Sequence, residues 1–310
     1  MKSSLHDGPQ DKGYKQNQGQ DHDHDQNQGQ DQGQDQARDG IRKRAAGRVK
    51  DRVRHRVQPL EGATRPAVLV FAGLDPSGGA GISADIEAIG AQGAHALPIV
   101  TALTVQDNNR VHEVAPVDSA LIVRQARALI ASVAIRAVKI GIPGNRANAE
   151  AIAGLIAQLR RDFPGLPVVL DPVLASGLGD PLSRGNALEA LAPLLEVTTV
   201  LVPNLPEAQA LGATGCQHVL VTGGHASGAE IINRWHYAGR VREWGWPRLA
   251  GEFHGSGCTL AAAIAGRLAL GEPVEEALDR AQRYCAHTLA AAYAIAPGQR
   301  IPQRRSTTAA

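Results

Sequence analysis

From Pro66 onward, short apolar runs alternate with longer stretches in which apolar residues recur every three or four positions. This is the pattern of parallel strands joined by helices that cover both faces of one sheet. The runs at 68–72, 95–103, 137–141, 168–171, 199–202 and 219–222 read as strands. Helical spacing predicts helices over 82–92, with Ile82, Ile86 and Ile89 on one side, and over 119–132, 147–161, 259–270 and 274–294. Phe163-Pro164-Gly165 ends the third of these. Two segments, 104–114 and 231–244, instead alternate polar and apolar residues, which is the period of a half-buried strand. The first is expected to form a small β-flap and the second a peripheral hairpin turning near Ala238-Gly239-Arg240.

That pattern does not extend to the start of the chain. Residues 11–36 are mostly Gln, Asp, Gly and His, a composition with no apolar surface to offset ordering entropy. Residues 1–64 are therefore expected to be a disordered low-complexity tail, 65–298 the folded domain, and 299–310 a disordered C-terminal tail. His22 and His24 lie in the first tail with no cysteine or packed frame beside them, so a solvated spacer is the expected reading rather than a metal site. The basic run from Arg42 to Arg56 sits beside acidic residues, and the 310-residue chain carries a formal net charge of only +2. No nucleic-acid-binding face is implied for the folded part. Neither a secretory signal core nor an apolar run of membrane-spanning length is present. Cys216, Cys258 and Cys285 are too few and too scattered for a disulfide framework, which points to a reducing cytoplasm.

Candidate chemistry gathers where strands end. Gly73-Leu74-Asp75, Gly141, Asp171, Asn204 and Gly223-Gly224 all follow apolar runs, and in open α/β sheets the ligand crevice lies at that edge. Gly255-Ser256-Gly257-Cys258 opens an alanine-rich helix. A small-residue turn there offers unpaired N–H groups and partial positive charge to an anion, and the same field is expected to lower the pKa of Cys258. A glycine-loosened helix start holding a small buried cysteine fits the turn equally well. The turn from Gly73 to Gly81 lacks the Lys-Ser/Thr of a P-loop and does not spell Gly-x-Gly-x-x-Gly, so neither assignment applies. Asp75 reads as a helix cap within it. Asn204 and Glu207 suit a metal and phosphate site or, as readily, a helix cap with its first-turn acid.

Taken together, Asp75-Pro76-Ser77-Gly78-Gly79-Ala80-Gly81, Thr101-Ala102-Leu103 with Gln106, Lys139-Ile140-Gly141, Asp171-Pro172-Val173, Gly179-Asp180-Pro181-Leu182, Asn204-Leu205-Pro206-Glu207-Ala208, Gly223-Gly224-His225 and His254-Gly255-Ser256-Gly257-Cys258-Thr259 resemble the ribokinase-like superfamily. Within it, the chain is most similar to the hydroxymethylpyrimidine/phosphomethylpyrimidine kinases of thiamine synthesis. The resemblance spans roughly 67–296 and implies a three-layer α/β/α fold with a mostly parallel central sheet and a β-flap over the site. It also implies ATP as co-substrate, Mg2+ and a homodimer. Residue by residue, it places Gly73, Asp75, Gly79 and Gln106 at the pyrimidine and Asn204, Glu207, Thr222 and Gly224 at the nucleotide phosphates. Asp171 and Glu207 fall on the metal side. Cys258 takes the position of the base, with the amides of Gly255, Ser256 and Gly257 stabilising the transferring phosphoryl group.

The chain departs from that family in four ways. Thr222 stands where a lysine is usual, Ser256 replaces a threonine, and the stretch 176–181 lacks another lysine. The span 209–217 is also too short for a further helix expected there. Two other readings follow: a pyridoxal-type vitamin kinase, and a degenerate member that only binds the pyrimidine. Gln106 and Cys258 favour the pyrimidine as acceptor, since an amide both donates to and accepts from an aminopyrimidine edge.

Overall fold

In the computed structural model, residues 64–176, 179–180, 182 and 186–305 are described; the expectations for the N-terminal tail, including His22, His24 and the basic run, lie outside them. Nine strands make one sheet: β1 (Ala67–Leu74), β2 (His95–Gln106), β3 (Val111–Pro116), β4 (Ile135–Ile140), β5 (Val168–Leu170), β6 (Val200–Leu201), β7 (His218–Val221), β8 (Glu230–Tyr237) and β9 (Arg240–Pro247). Their order is β3-β2-β1-β4-β5-β6-β7-β8-β9. The six strands from β2 to β7 in that order pair in parallel, and β3, β8 and β9 add antiparallel edges.

Among the described residues, seven helices cover the two faces: α1 (Gly81–Ala91), α2 (Ser119–Ile130), α3 (Arg146–Asp162), α4 (Ala187–Leu195), α5 (Leu205–Leu211), α6 (Ser256–Ala269) and α7 (Val274–Ala290). Because side chains alternate along a strand, β1 feeds both layers. Val68, Val70 and Ala72 join a core with α1, α6 and α7, while Leu69 and Phe71 join one with α2, α3 and α4. Burial of each such large side chain contributes about 1.5–3 kcal/mol, so β1 anchors both layers. The run Ala261–Ala265 on α6 is fully buried, and its small side chains let this helix lie close to β1, β4 and β5.

The expected hairpin is β8–β9, closed by Ala238 and Gly239 with φ of 48° and 73°, the left-handed pair that matches strand twist. Helix α4 was not anticipated from the pattern, although Asn186 caps it through Leu188 N and Glu189 N and Leu188, Leu191 and Leu194 have helical spacing. The nucleotide-side segment carries only the seven-residue α5 before β7, in line with the short span read there. The flap is not a separate small sheet. It is the end of β2, which outruns β1 after Leu74 and continues to Gln106 paired with β3 alone.

The C-terminal segment requires a correction. Residues 299–305 were expected to be a disordered tail, yet Gln299, Ile301 and Arg304 are buried, and Arg300 and Ile301 form bridges with Phe253 and Tyr293. Apolar burial of one isoleucine and a ladder of backbone bonds to 252, 254, 288 and 293 fix the segment, which composition alone did not signal. Residues 306–310 lie outside the described part.

Candidate active site

Helices α2 to α5 each begin with an Asp or Asn side chain bonded to a first-turn amide: Asp118, Asn145, Asn186 and Asn204. Helices α1 and α6, which start at the crevice, have no side-chain cap. The first intrahelical bond of α6 runs from Thr259 N to Gly255 O at 3.0 Å, so the preceding amides have no carbonyl partner along the helix. They form a ready anion site.

Two glycine turns interlock at this point. Gly255 has φ of 77°, and a Cβ on it would lie 2.1 Å from Gly79 O; a Cβ on Gly79 would lie 2.2 Å from the His254 ring. Gly81, with φ of 55°, similarly faces Gly73 O. Only glycine permits such backbone approach. His254 Nε2 meets Asp75 Oδ2 at 2.7 Å and completes the junction.

Asp75 is consumed by this junction. Its oxygens accept from Ser77 N (2.8 Å), Ser77 Oγ (2.9 Å) and Ala80 N (2.7 Å) as well as facing His254. Burial raises its pKa, but the bonds from His254 and Ser77 outweigh this and hold it below the ordinary carboxylate range. The helix-cap role read from the sequence is corrected: Asp75 binds amides within the turn, Ser77 N and Ala80 N, and none in the first turn of α1. On Gly73, expected at the substrate, a Cβ would lie 2.6 Å from Ile142 Cδ1.

Cys258 is half-buried beside Asp171, Lys139 and the N–H of Gly81. Its expected low pKa is corrected: burial pushes the thiol up to about 12, and Asp171 and Asp85 add to this, against the pull of Lys139 and the Gly81 amide. Helix-end charge loses here to desolvation and two carboxylates. Lys139 and Asp85 form a fully buried ion pair at 2.8 Å, a feature on which sequence reading placed no role. Burial raises Asp85 to about 6, while burial disfavours the Lys139 ammonium and its attraction to Asp85 overcomes that. Asp171 Oδ2 is buried without a hydrogen-bond partner, and a Cβ on Gly257 would stand 3.7 Å from both Asp171 oxygens.

On the other side of the crevice, Asn204 and Glu207 make a reciprocal capping box at 2.9 Å in each direction. Burial, then the nearby charge of Asp171, push Glu207 up to about 7. Asn204 bridges to Thr222, which brings these two expected nucleotide residues together; Gly224 is exposed with open space around it. Ser256 O accepts from the buried Cys285 thiol at 3.7 Å.

Gln106 is half-buried and shares a strand face with Thr104, whose Oγ1 donates to Leu74 O at 2.9 Å; Leu103 and Val105 point the opposite way. The flap tip is pinned twice. Arg110 makes a bidentate bond to Asp180, and Asn108 Nδ2 donates to Pro297 O and Gln299 O. Asn108, Asp180 and Arg304 escaped the sequence reading as site-forming residues, since the partners that tie them to the site lie 45 to 225 positions away.

An open α/β sheet with uncapped amides and a buried lysine at its strand ends defines a three-layer ribokinase-like fold built to hold anionic groups. Solved structures agree: the pyridoxal kinase of Bacillus subtilis in an ADP complex covers 78% of this chain and 98% of its own, with a TM-score of 0.70 at 24% identity, a likeness of fold. The sequence profile of the phosphomethylpyrimidine kinase family matches residues 75–214 and 208–302, and the chain belongs to that family. The hydroxymethylpyrimidine/phosphomethylpyrimidine kinase of Mycobacterium tuberculosis (strain ATCC 25618 / H37Rv) is 37% identical over 76% of this chain and 93% of its own length. The chain spans only 34% of the thiamine biosynthesis multifunctional protein ThiED of Corynebacterium efficiens, at 34% identity over 76% of its own length. The phosphomethylpyrimidine kinase structure from Clostridium difficile 630 has a TM-score of 0.62 at 28% identity, covering 73% of this chain and all of that one. No described helix is long and apolar enough to cross a membrane.

Proposed function

We propose that this protein transfers the γ-phosphoryl group of ATP to the hydroxymethyl oxygen of 4-amino-5-hydroxymethyl-2-methylpyrimidine, and then a second phosphoryl group to the monophosphate. The observation that carries this reading is the interlocked pair of glycine turns, which sets the uncapped start of α6 directly against the turn after β1. One molecule can touch both.

In this reading the hydroxymethyl oxygen attacks the γ-phosphorus, the bond to the bridging oxygen breaks, and ADP leaves. The amides of Gly255, Ser256 and Gly257 stabilise the charge on the phosphoryl oxygens without having to move. Cys258 lies where the hydroxyl proton departs. Because the thiol is protonated at rest, accepting that proton requires passing its own to the neighbouring Asp171 carboxylate. Positioning and charge stabilisation dominate phosphoryl transfer, so this relay is the smaller contribution. Gln106 reads the aminopyrimidine edge, and Gly79 and Asp75 act by holding the turn beneath it. Asn204, Thr222 and Gly224 border the nucleotide phosphates.

The unpartnered Asp171 oxygen and the raised pKa of Glu207 beside it suit a divalent cation. These two carboxylates would hold Mg2+ partly through water, the usual mode for that ion, and when bound it neutralises phosphate charge. A cytoplasmic homodimer completes the reading, checked by sedimentation of the purified chain.

Mass spectrometry of products formed from ATP, Mg2+ and the pyrimidine alcohol tests the proposal. Monophosphate followed by diphosphate is expected. Monophosphate alone restricts the activity to the first step, and phosphorylation of pyridoxine but not of the pyrimidine overturns it. Binding of the pyrimidine with no ATP consumed would leave only a sensor.

A further inference from the structure

Arg304 belongs to the segment expected to be disordered, yet its side chain is completely buried behind the two glycine turns. Nε donates to Thr259 Oγ1 at 2.8 Å, and that hydroxyl in turn donates to Gly255 O at 2.7 Å. Nη2 donates to Gly79 O. Nη1 has no hydrogen-bond partner and lies 3.6 Å from Glu87 Oε2 on α1. One planar fork thus holds the carbonyl of Gly79 in one turn and, through Thr259, the carbonyl of Gly255 in the other. The carbonyl of Arg304 itself accepts from Tyr284 Oη at 2.9 Å on α7, and Gln303 N donates to Thr288 O at 3.0 Å, so the fork is anchored from behind.

We propose that Arg304 is a positioning residue for phosphoryl transfer, acting from the C-terminal segment to set the spacing between the Gly79 turn and the amides that open α6. The inference rests on the functional reading above for its kinetic consequence. A buried guanidinium is costly to desolvate, and hydrophobic packing alone would fill this place more cheaply. What a fork supplies is geometry: two donors at fixed angles that lysine, a point charge on a flexible stem, does not reproduce. A displacement of about 1 Å at a reacting group costs on the order of 100-fold in rate, so the spacing of these turns is where such a residue acts.

Arg304→Lys and Thr259→Val test this, with Thr259→Ser as the conservative partner. Each Lys or Val variant is expected to lower kcat about 10- to 100-fold. KM for ATP and for the pyrimidine alcohol should stay within about threefold, while Thr259→Ser recovers most of kcat. Amide hydrogen exchange of peptides covering 76–82 and 253–260 should be faster in both impaired variants, a readout that does not depend on which alcohol is the acceptor. If the wild-type protein phosphorylates no pyrimidine, the functional reading fails and the exchange data alone decide the positioning role. Folded variants with wild-type exchange and wild-type kcat overturn the inference. Should Arg304→Lys not fold, Thr259→Val carries the test, because it keeps the guanidinium and removes only its link to Gly255.

Discussion

The two sides of the crevice are built differently. On the acceptor side, Gly79, Gly81 and Gly255 are each pressed against another backbone or ring, and a buried arginine, a buried ion pair and an Asp–His contact surround them. On the nucleotide side, Asn204 and Glu207 satisfy each other locally, and Gly224 stands in open space. Arg248, half-buried, secures that loop through the carbonyls of Gly224, Ala226 and Gly228. In the proposed reaction the rigid side carries the amides that must be in place when charge moves, and the open side admits and releases the nucleotide. Precise placement at one wall coexists with tolerance at the other.

Replacing glycines breaks or sharpens this contrast most directly. Gly255→Ala puts a Cβ against Gly79 O at a left-handed φ, and kcat/KM should fall at least about 100-fold in steady-state assays. Gly224→Ala meets no atom, and its effect should be confined to a change of about threefold or less in KM for ATP. Equal losses in the two would erase the distinction between the walls. Within the rigid side, Gly257→Leu fills the anion site and approaches Asp171, so it should abolish turnover, whereas Cys258→Ser should keep roughly 1–10% of kcat because proton removal is the lesser demand. Comparable losses, with both proteins folded, would assign the thiol the larger share.

A gain is expected on the open side. Thr222→Lys places a cation where the family resemblance implies one beside the proposed phosphate site, and KM for ATP should drop about threefold to tenfold in a titration at fixed acceptor. Last comes the flap. Bonds from Arg110, then from Val111 N, hold the Asp180 carboxyl well below its ordinary value of 3.8. The stability it contributes is therefore present above pH 3.8 and lost as the pH falls through the lower folded-state value. Arg110→Gln should lower Tm slightly at neutrality in scanning calorimetry, and the difference from wild type should close below about pH 4 as the wild-type carboxyl takes up its proton, which leaves the variant a flatter acid limb.

Local patterns made most of the fold legible. Period-two and period-3.6 spacing located the neighbourhoods of the strands without help from distant residues, because each β1-type run is buried by its own composition. The hairpin turn at Ala238-Gly239 and the capping box at Asn204 were equally local. Helix α4 was missed: Pro193 within it breaks the pattern that its leucines otherwise display.

The site divides along the same line. Sequence by itself determined which turns are glycine-rich, that Cys258 opens a helix, and which family the order of motifs resembles, since each of these is written in a few adjacent residues. Tertiary structure alone decided that Asp75 spends its oxygens on Ser77, Ala80 and His254, that the Cys258 thiol is held protonated, and that Lys139 pairs with Asp85. It also recruited Arg304 from a stretch whose composition promised nothing. Burial and long-range pairing are properties of what surrounds a residue, and those surroundings come from strands and helices far away along the chain.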